Sequence, residues 1–359
     1  MTWLKDAFER IADDMPERDL AARAMVIHQR RRRNRTAFAA AAVVVVTVLA
    51  AWLGIRVLPE TPREPAAPVS RPEQTTIEVG AVPSAASAPL FVAVAKGYFE
   101  QEGLSVTPHI IVGGPAGVPK VLSGELDLSQ TDYLTTMKAV EQGHPLKLVS
   151  GLYQARAGTS ALVVRPGSGI RSVAGLKGKK IGVPYLRSTE EFALAGLLEQ
   201  AGLSLDDVKL VETPLPDMGM AMDRRRFDAA LATEPHITQG VQQGQMRVLK
   251  DLMTGEFAGL PGQGWMAADT WIQRNPATLA AFQRALGKAH RVIADDPREV
   301  EAVLPYYVKI PRAQTAAIKQ GGYPTAIDLP GLRRLAELGR RHGFLKGRFD
   351  VREAVLASR

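Results

Sequence analysis

From Thr75 onward, short apolar runs of strand length alternate with longer runs of helical period, the signature of an α/β protein. The alternation predicts strands over 76–81, 105–112, 126–130, 146–152, 160–165, 179–183, 208–212, 228–232 and 246–250. Helices are predicted between them, over 88–99, 115–123, 132–142, 188–201, 217–225 and 235–243. Beyond about Thr270 the pattern turns mainly helical, with helices near 276–294, 297–306, 312–319, 329–342 and 350–357. No repeat of fixed period runs through the chain.

A different pattern precedes Thr75. Ala37–Ile55 is a run of 19 residues without a charge. As a helix it would span roughly 28 Å, close to the hydrocarbon thickness of a bilayer. Arg30, Arg31, Arg32, Arg33 and Arg35 lie directly before it. The positive-inside rule then predicts a signal anchor over 37–58, a cytoplasmic segment 1–36 and an external bulk. A cleaved signal peptide is the alternative, but the charged region is long for one and the apolar run exceeds a usual signal core. Residues 59–74 carry prolines at 59, 62, 65, 68 and 72. Proline fixes φ and removes a donor, so this stretch predicts an extended tether reaching roughly 50 Å.

Length and composition change this picture in a few places. The chain has 359 residues, enough for two core-forming units plus the N-terminal extras. Its net charge is +8, and residues 1–36 supply +3 of it through nine basic and six acidic side chains. A basic run can meet nucleic acid, but this one abuts the apolar segment, so no nucleic-acid partner is predicted. There are no cysteines, which excludes disulfides, thiolate metal sites, a cysteine nucleophile and a lipid-modified cysteine anchor. The six histidines (28, 109, 144, 236, 290 and 342) show no pair at metal-ligand spacing. No phosphate loop or nucleophile elbow appears, and the Gly113–Gly117 loop is a poor match to a dinucleotide loop. No cofactor, no metal and no catalytic residue are therefore predicted, and the chain is not expected to be an enzyme.

Three blocks carry a resemblance. Residues 77–129 read IEVGAVPSAASAPLFVAVAKGYFEQEGLSVTPHIIVGGPAGVPKVLSGELDLS. Residues 162–183 read LVVRPGSGIRSVAGLKGKKIGV, matching at Gly169, Ile170, Ser172, Leu176, Lys177, Gly178, Lys179 and Ile181, with Gly175 where an acid is usual. Phe227-Asp228-Ala229-Ala230 is followed by Thr233-Glu234-Pro235. In this order they resemble the solute-binding proteins of ABC importers, in the NitT/TauT or SsuA-like branch that handles nitrate, taurine, aliphatic sulfonates and thiamine-type pyrimidines. The resemblance covers about 76–357. It implies a two-lobed periplasmic-binding-protein-like α/β fold of type II with two crossover strands, here preceded by one transmembrane helix. Lobe 1 would comprise 75–158 with 258–359, and lobe 2 would comprise 159–257. It also implies a small-molecule ligand in the inter-lobe cleft, closure on binding, and a permease and ATPase on separate chains. A monomer is expected. Aliphatic sulfonates or taurine-like solutes come first as ligands, a thiamine-related pyrimidine second and nitrate third.

In open α/β sheets ligands collect beyond the carboxyl ends of strands. Here those ends are the loops Pro83–Ser87, Gly113–Gly117, Thr131–Tyr133 and Leu186–Thr189, each opening a helix with free N–H groups and a positive dipole end. Ser84, Ser87, Gly114, Thr131, Ser188 and Thr189 are the polar candidates for ligand contact, with helix capping as the alternative for the hydroxyls. Arg156 and Arg187 are the candidate anion partners, or solvated surface arginines. Tyr153 is a candidate stacking surface or core residue. His236 is a candidate contact or cap. Asp132 and Glu234 point the other way, toward an amine or N–H edge or toward pairing with an arginine. Two further readings stay open on the same fold: an enzyme of pyrimidine or menaquinone precursor metabolism, and a ligand-sensing ectodomain. The cysteine-rich iron-binding motif of the pyrimidine enzymes is absent.

Overall fold

The computed structural model describes residues 71–357. The predicted cytoplasmic segment 1–36, the predicted span 37–58 and most of the predicted linker 59–74 lie outside them. Among the described residues no helix is long and apolar enough to cross a membrane.

The chain builds two five-stranded sheets. The first contains β1 (Thr76–Ala81), β2 (Ser105–Ile110), β3 (Leu128–Asp132) and β4 (Leu146–Tyr153), joined late in the sequence by β10 (Gln263–Ala268). Its order is β2-β1-β3-β10-β4. The second contains β5 (Ser160–Val164), β6 (Lys180–Val183), β7 (Lys209–Glu212), β8 (Ala229–Thr233) and β9 (Arg247–Asp251), in the order β7-β6-β8-β5-β9. The chain leaves the first sheet after β4 and returns to it at β10. In each sheet four strands run in one direction, and β10 or β5 runs against its neighbours.

Strand β10 was not among the predicted strands. It is apolar on both faces, with Trp265, Met266 and Ala267 all fully buried. Other differences are local. The predicted helix 88–99 divides into α1 (Ala88–Ala95) and α2 (Tyr98–Gln101), because Gly97 adopts a left-handed φ of 69°. The segments at 312–317 and 351–354 are 3-10 turns.

The remaining helices are α3 (Gly114–Ser123), α4 (Tyr133–Glu141), α5 (Thr189–Gln200), α6 (Met218–Asp223), α7 (His236–Gln242), α8 (Asp269–Arg274), α9 (Pro276–Asp295), α10 (Arg298–Tyr307) and α11 (Leu329–Arg341). Leu279, Phe282, Leu286 and Ile293 form one buried stripe of α9, at the spacing of a helix face. Phe282 meets the Trp265 ring edge-on at 5.6 Å, which fixes α9 under β10. Glu73 and Gln74 are docked on this part. Glu73 accepts from the backbone N–H groups of Ala277 and Thr278, satisfying donors of the α9 N-terminus. Trp271 Nε1 donates to Gln74 Oε1 at 3.0 Å.

Parallel pairing sets the site. Val79 lies opposite Leu128 and Gly80 opposite Ser129, so the chain leaves β1 and β3 on one edge. In the second sheet Ile181 lies opposite Ala229 and Gly182 opposite Ala230, so the exits of β6 and β8 also share an edge. The two edges face each other. His236 Nε2 reaches the Pro83 carbonyl at 3.2 Å, Ala85 N donates to the Glu234 carbonyl at 3.2 Å, and Tyr185 OH donates to Asp132 Oδ2 at 3.2 Å.

Candidate ligand-binding cleft

Between the edges lie two adjoining cavities, both partly open to solvent. Ser84, Glu190, Thr233 and Gln263 line both, so they are two ends of one cleft. The larger end is closed by Tyr153, Phe257, Leu260 and Glu234, and the smaller by Gly114, Thr131, Asp132 and Tyr185.

The first-sheet wall is a hydrogen-bonded floor. Gln130 Oε1 accepts from Val82 N at 2.8 Å, and Gln130 Nε2 donates to Gln263 Oε1 at 2.6 Å. Asp132 caps α4: its Oδ1 accepts from Thr135 N at 2.9 Å and its Oδ2 from the Thr135 hydroxyl at 2.7 Å. Burial raises the Asp132 carboxyl above its ordinary range even so, since these bonds only offset part of the desolvation. Gly114 fits here because a Cβ would lie 3.1 Å from Asp132 Oδ2 and Thr131 Oγ1.

The second-sheet wall carries the start of α5 and the end of β8. Glu190 sits in the first turn of α5 and is buried. Burial pushes its carboxyl up to about 7, its own backbone N–H works against that rise, and the nearby Asp132 charge adds to it. The hydroxyls of Ser188 and Ser160 favour its ionised form. Glu234 accepts from Thr238 N at 3.1 Å, from the Thr238 hydroxyl at 2.8 Å and from Lys319 N at 3.4 Å. Burial is again the largest influence and raises its carboxyl. Among the described residues three buried hydroxyls have no hydrogen-bond partner: Ser84 Oγ, Thr189 Oγ1 and Thr233 Oγ1. All three residues line the cleft. Orphaned buried hydroxyls are uncommon, and here they converge on one empty space.

Of the sequence candidates, Ser84, Gly114, Thr131, Asp132, Tyr153, Thr189 and Glu234 line the cleft. Four others do not. Ser188 caps α5, its Oγ accepting from Glu191 N at 3.0 Å. The Ser87 hydroxyl donates to Val82 O and to Gln130 Oε1. His236 bridges the two edges through Pro83 O, and burial lowers its pKa. Arg187 turns away: Nη2 donates to Gly343 O at 3.0 Å and the guanidinium lies 4.8 Å from the centre of the Phe344 ring. Its backbone, at φ 66°, directs the side chain to that loop. Arg156 is exposed and also lies outside the lining. Sequence reasoning missed Glu190, Gln130, Thr233, Gln263 and Tyr185. Glu190 was the hardest to find, because an acid in a helix's first turn reads as a surface partner of the dipole.

The profile of a family described as "NMT1/THI5 like" matches residues 84–300, more than half of the chain. The chain belongs to this family. The riboflavin-binding protein RibY of Chloroflexus aurantiacus is 27% identical over 240 residues, covering 63% of this chain and 66% of RibY. The putative aliphatic sulfonates-binding protein of Escherichia coli is 25% identical over 248 residues, 67% of this chain and 76% of that one. The 4-amino-5-hydroxymethyl-2-methylpyrimidine phosphate synthase of Schizosaccharomyces pombe is 24% identical over 221 residues, 58% of this chain and 62% of the synthase. The chain thus spans less than two-thirds of RibY and of the synthase. Among solved structures, the alkanesulfonate-binding protein SsuA of Xanthomonas axonopodis pv. citri, bound to MOPS, superposes with a TM-score of 0.68 at 20% identity, over 79% of this chain and 99% of SsuA. The two-sheet α/β architecture is therefore that of periplasmic binding proteins.

Proposed function

We propose that this protein is the extracytoplasmic solute-binding component of an ABC importer. It captures a small polar organic solute in the cleft and delivers it to a permease, with the ATPase on a separate chain. The observation that carries this is the convergence of three unpartnered buried hydroxyls, supplied by both sheets, on a single cleft. Relatives named for binding aliphatic sulfonates and riboflavin support a role in solute capture. The lobes would be 75–158 with 258–359, and 159–257, closing on the solute. Sulfonate or taurine-like solutes are the ligands the sequence resemblance favours, followed by a thiamine-related pyrimidine and then nitrate.

In this reading residues 37–58 anchor the protein in the cell membrane as a single pass, with the N-terminus cytoplasmic and the binding domain outside. The five-arginine cluster beside the uncharged run supports that orientation. The protein would act as a monomer. Thermal melting of the full chain with taurine, alkanesulfonates, nitrate, thiamine and its hydroxymethylpyrimidine tests the binding role. A true ligand at 100 times its dissociation constant should add about 2.7 kcal/mol. A reporter fused to the C-terminus should read as external, and a cytoplasmic reading would remove the topology.

A further inference from the structure

We propose that the cleft selects its ligand by a nitrogen head group presenting N–H donors, an ammonium or an amino-bearing ring edge, with Glu190 as the group that receives it. This rests on the solute-binding reading above and narrows it to a chemical class.

The lining carries three carboxyl groups, those of Asp132, Glu190 and Glu234, and no lysine, arginine or histidine. A buried charge needs a partner of opposite sign or a set of hydrogen bonds. An anionic head placed here would meet three acids and no cation. Helix N-termini favour anions, but the N-cap of α4, Asp132, and the first turn of α5 already hold carboxylates.

The three acids are not equivalent. Asp132 is engaged by Thr135 and Tyr185, and Glu234 by Thr238 and Lys319 N. Glu190 is engaged too, by its own backbone N–H and by the hydroxyls of Ser188 and Ser160, but α5 has a second acid beside it. Glu191 accepts from Arg187 N at 2.6 Å and serves the helix start. Glu190 instead lines both ends of the cleft. A carboxylate only accepts hydrogen bonds, so the complement it asks for is an N–H or O–H donor, preferably charged.

Independent of the acids, Ser84 is 5% exposed, lines both ends of the cleft, and its hydroxyl has no partner. Thr189 Oγ1 and Thr233 Oγ1 are in the same condition. Each can accept a further N–H. Glu190 and the three hydroxyls thus form a set of acceptors around one space, suited to a head group with two or more N–H bonds.

Matched pairs test this by calorimetry on the full chain in detergent. Taurine is compared with ethanesulfonate, which differs only in lacking the ammonium. 4-Amino-5-hydroxymethyl-2-methylpyrimidine is compared with the same ring without its amino group. Propylamine and nitrate serve as a bare amine and a bare anion. In at least one pair the nitrogen-bearing member should bind about 10- to 100-fold tighter, the range for a hydrogen bond to a charged group. The pair that responds separates the ammonium from the ring edge. Nitrate should give no binding heat. Glu190→Gln should bring the responding pair to within about threefold of each other, and Ser84→Ala, which leaves every charge in place, should weaken the nitrogen ligand about fivefold. Ethanesulfonate or nitrate binding as tightly as the nitrogen probes would overturn the proposal and leave the solute-binding role standing. Nitrogen ligands indifferent to both substitutions would overturn it too. Silence from every probe would overturn the proposal and weigh against the solute-binding role as well.

Discussion

The two walls of the cleft use similar residues in opposite ways. On the first-sheet wall, Gln130, Asp132 and Gln263 are bonded to backbone or to each other, and of the hydroxyls only that of Ser84 is left open among the described residues. On the second-sheet wall, two hydroxyls are open and Glu190 faces the cavity with no basic side chain beside it. The first wall is a finished structure, and the second holds unmet bonding capacity. Damage to the first should therefore appear as lost stability, and damage to the second as lost binding.

Gln130→Ala breaks the comparison most severely. It removes the acceptor for Val82 N, in the buried interior, and the donor to Gln263, at the half-buried cleft wall. Two stranded polar groups and a small cavity should cost about 3 to 4 kcal/mol, read as a lower midpoint in denaturant titration. An unchanged midpoint would remove the distinction between the walls.

Glu190→Gln should act in the opposite direction, with a sign set by pH. The Glu190 carboxyl is raised from an ordinary 4.5 to about 7, so between these values the folded chain holds a proton that the unfolded chain releases. Its contribution is complete below about pH 4.5 and is lost as pH rises through 7. The ligand-free protein should then be more stable at pH 5.5 than at pH 8, by no more than about 3 kcal/mol from this group. Asp132 and Glu234, which share the cleft and are also raised, push the same way. The difference between wild type and Glu190→Gln isolates the one group: the variant should melt higher than wild type at pH 8 and level with it at pH 5. Equal melting at both pH values would show that Glu190 is not buried as described.

A smaller effect tests the junction of the walls. A Cβ on Gly113 would lie 2.4 Å from Tyr185 Cδ1, far inside van der Waals contact. Gly113→Ala should force the two edges apart, weakening ligand binding about tenfold through about 1 to 2 kcal/mol of overpacking. The smallest effect is expected from Tyr185→Phe, which removes only the bond to Asp132 Oδ2 at 3.2 Å. It should cost about 1 kcal/mol of melting stability. Equal effects from both substitutions would mean the hydroxyl, and not the ring's fit against Gly113, holds the edges together.

Much of this molecule was legible from its chain. The alternation of short apolar runs and helical periods located nine of the ten strands among the described residues. Strand β10 was missed, although β3 and β5, which are equally buried on both faces, were found. Small hydroxylic loops at strand ends pointed to Ser84, Thr131 and Thr189, because a loop that opens a helix exposes polar groups wherever it lies. The same local view assigned Arg187 to the ligand and passed over Glu190. Both sit at the start of α5, three residues apart, and local chemistry favours the arginine as a contact. The left-handed backbone at Arg187 and the arrival of the Gly343–Phe344 loop decided otherwise.

The sequence by itself determined most of the elements, their order and the family, because these depend on periodicity and on motifs a few residues long. The tertiary structure alone decided which polar groups face one another. Asp132 ends a strand of the first sheet and Glu190 lies in the first turn of α5, and only the packing of one edge against the other brings their charges within reach. No local pattern encodes that distance, and burial between the sheets is what turns a helix-start acid into a cleft group.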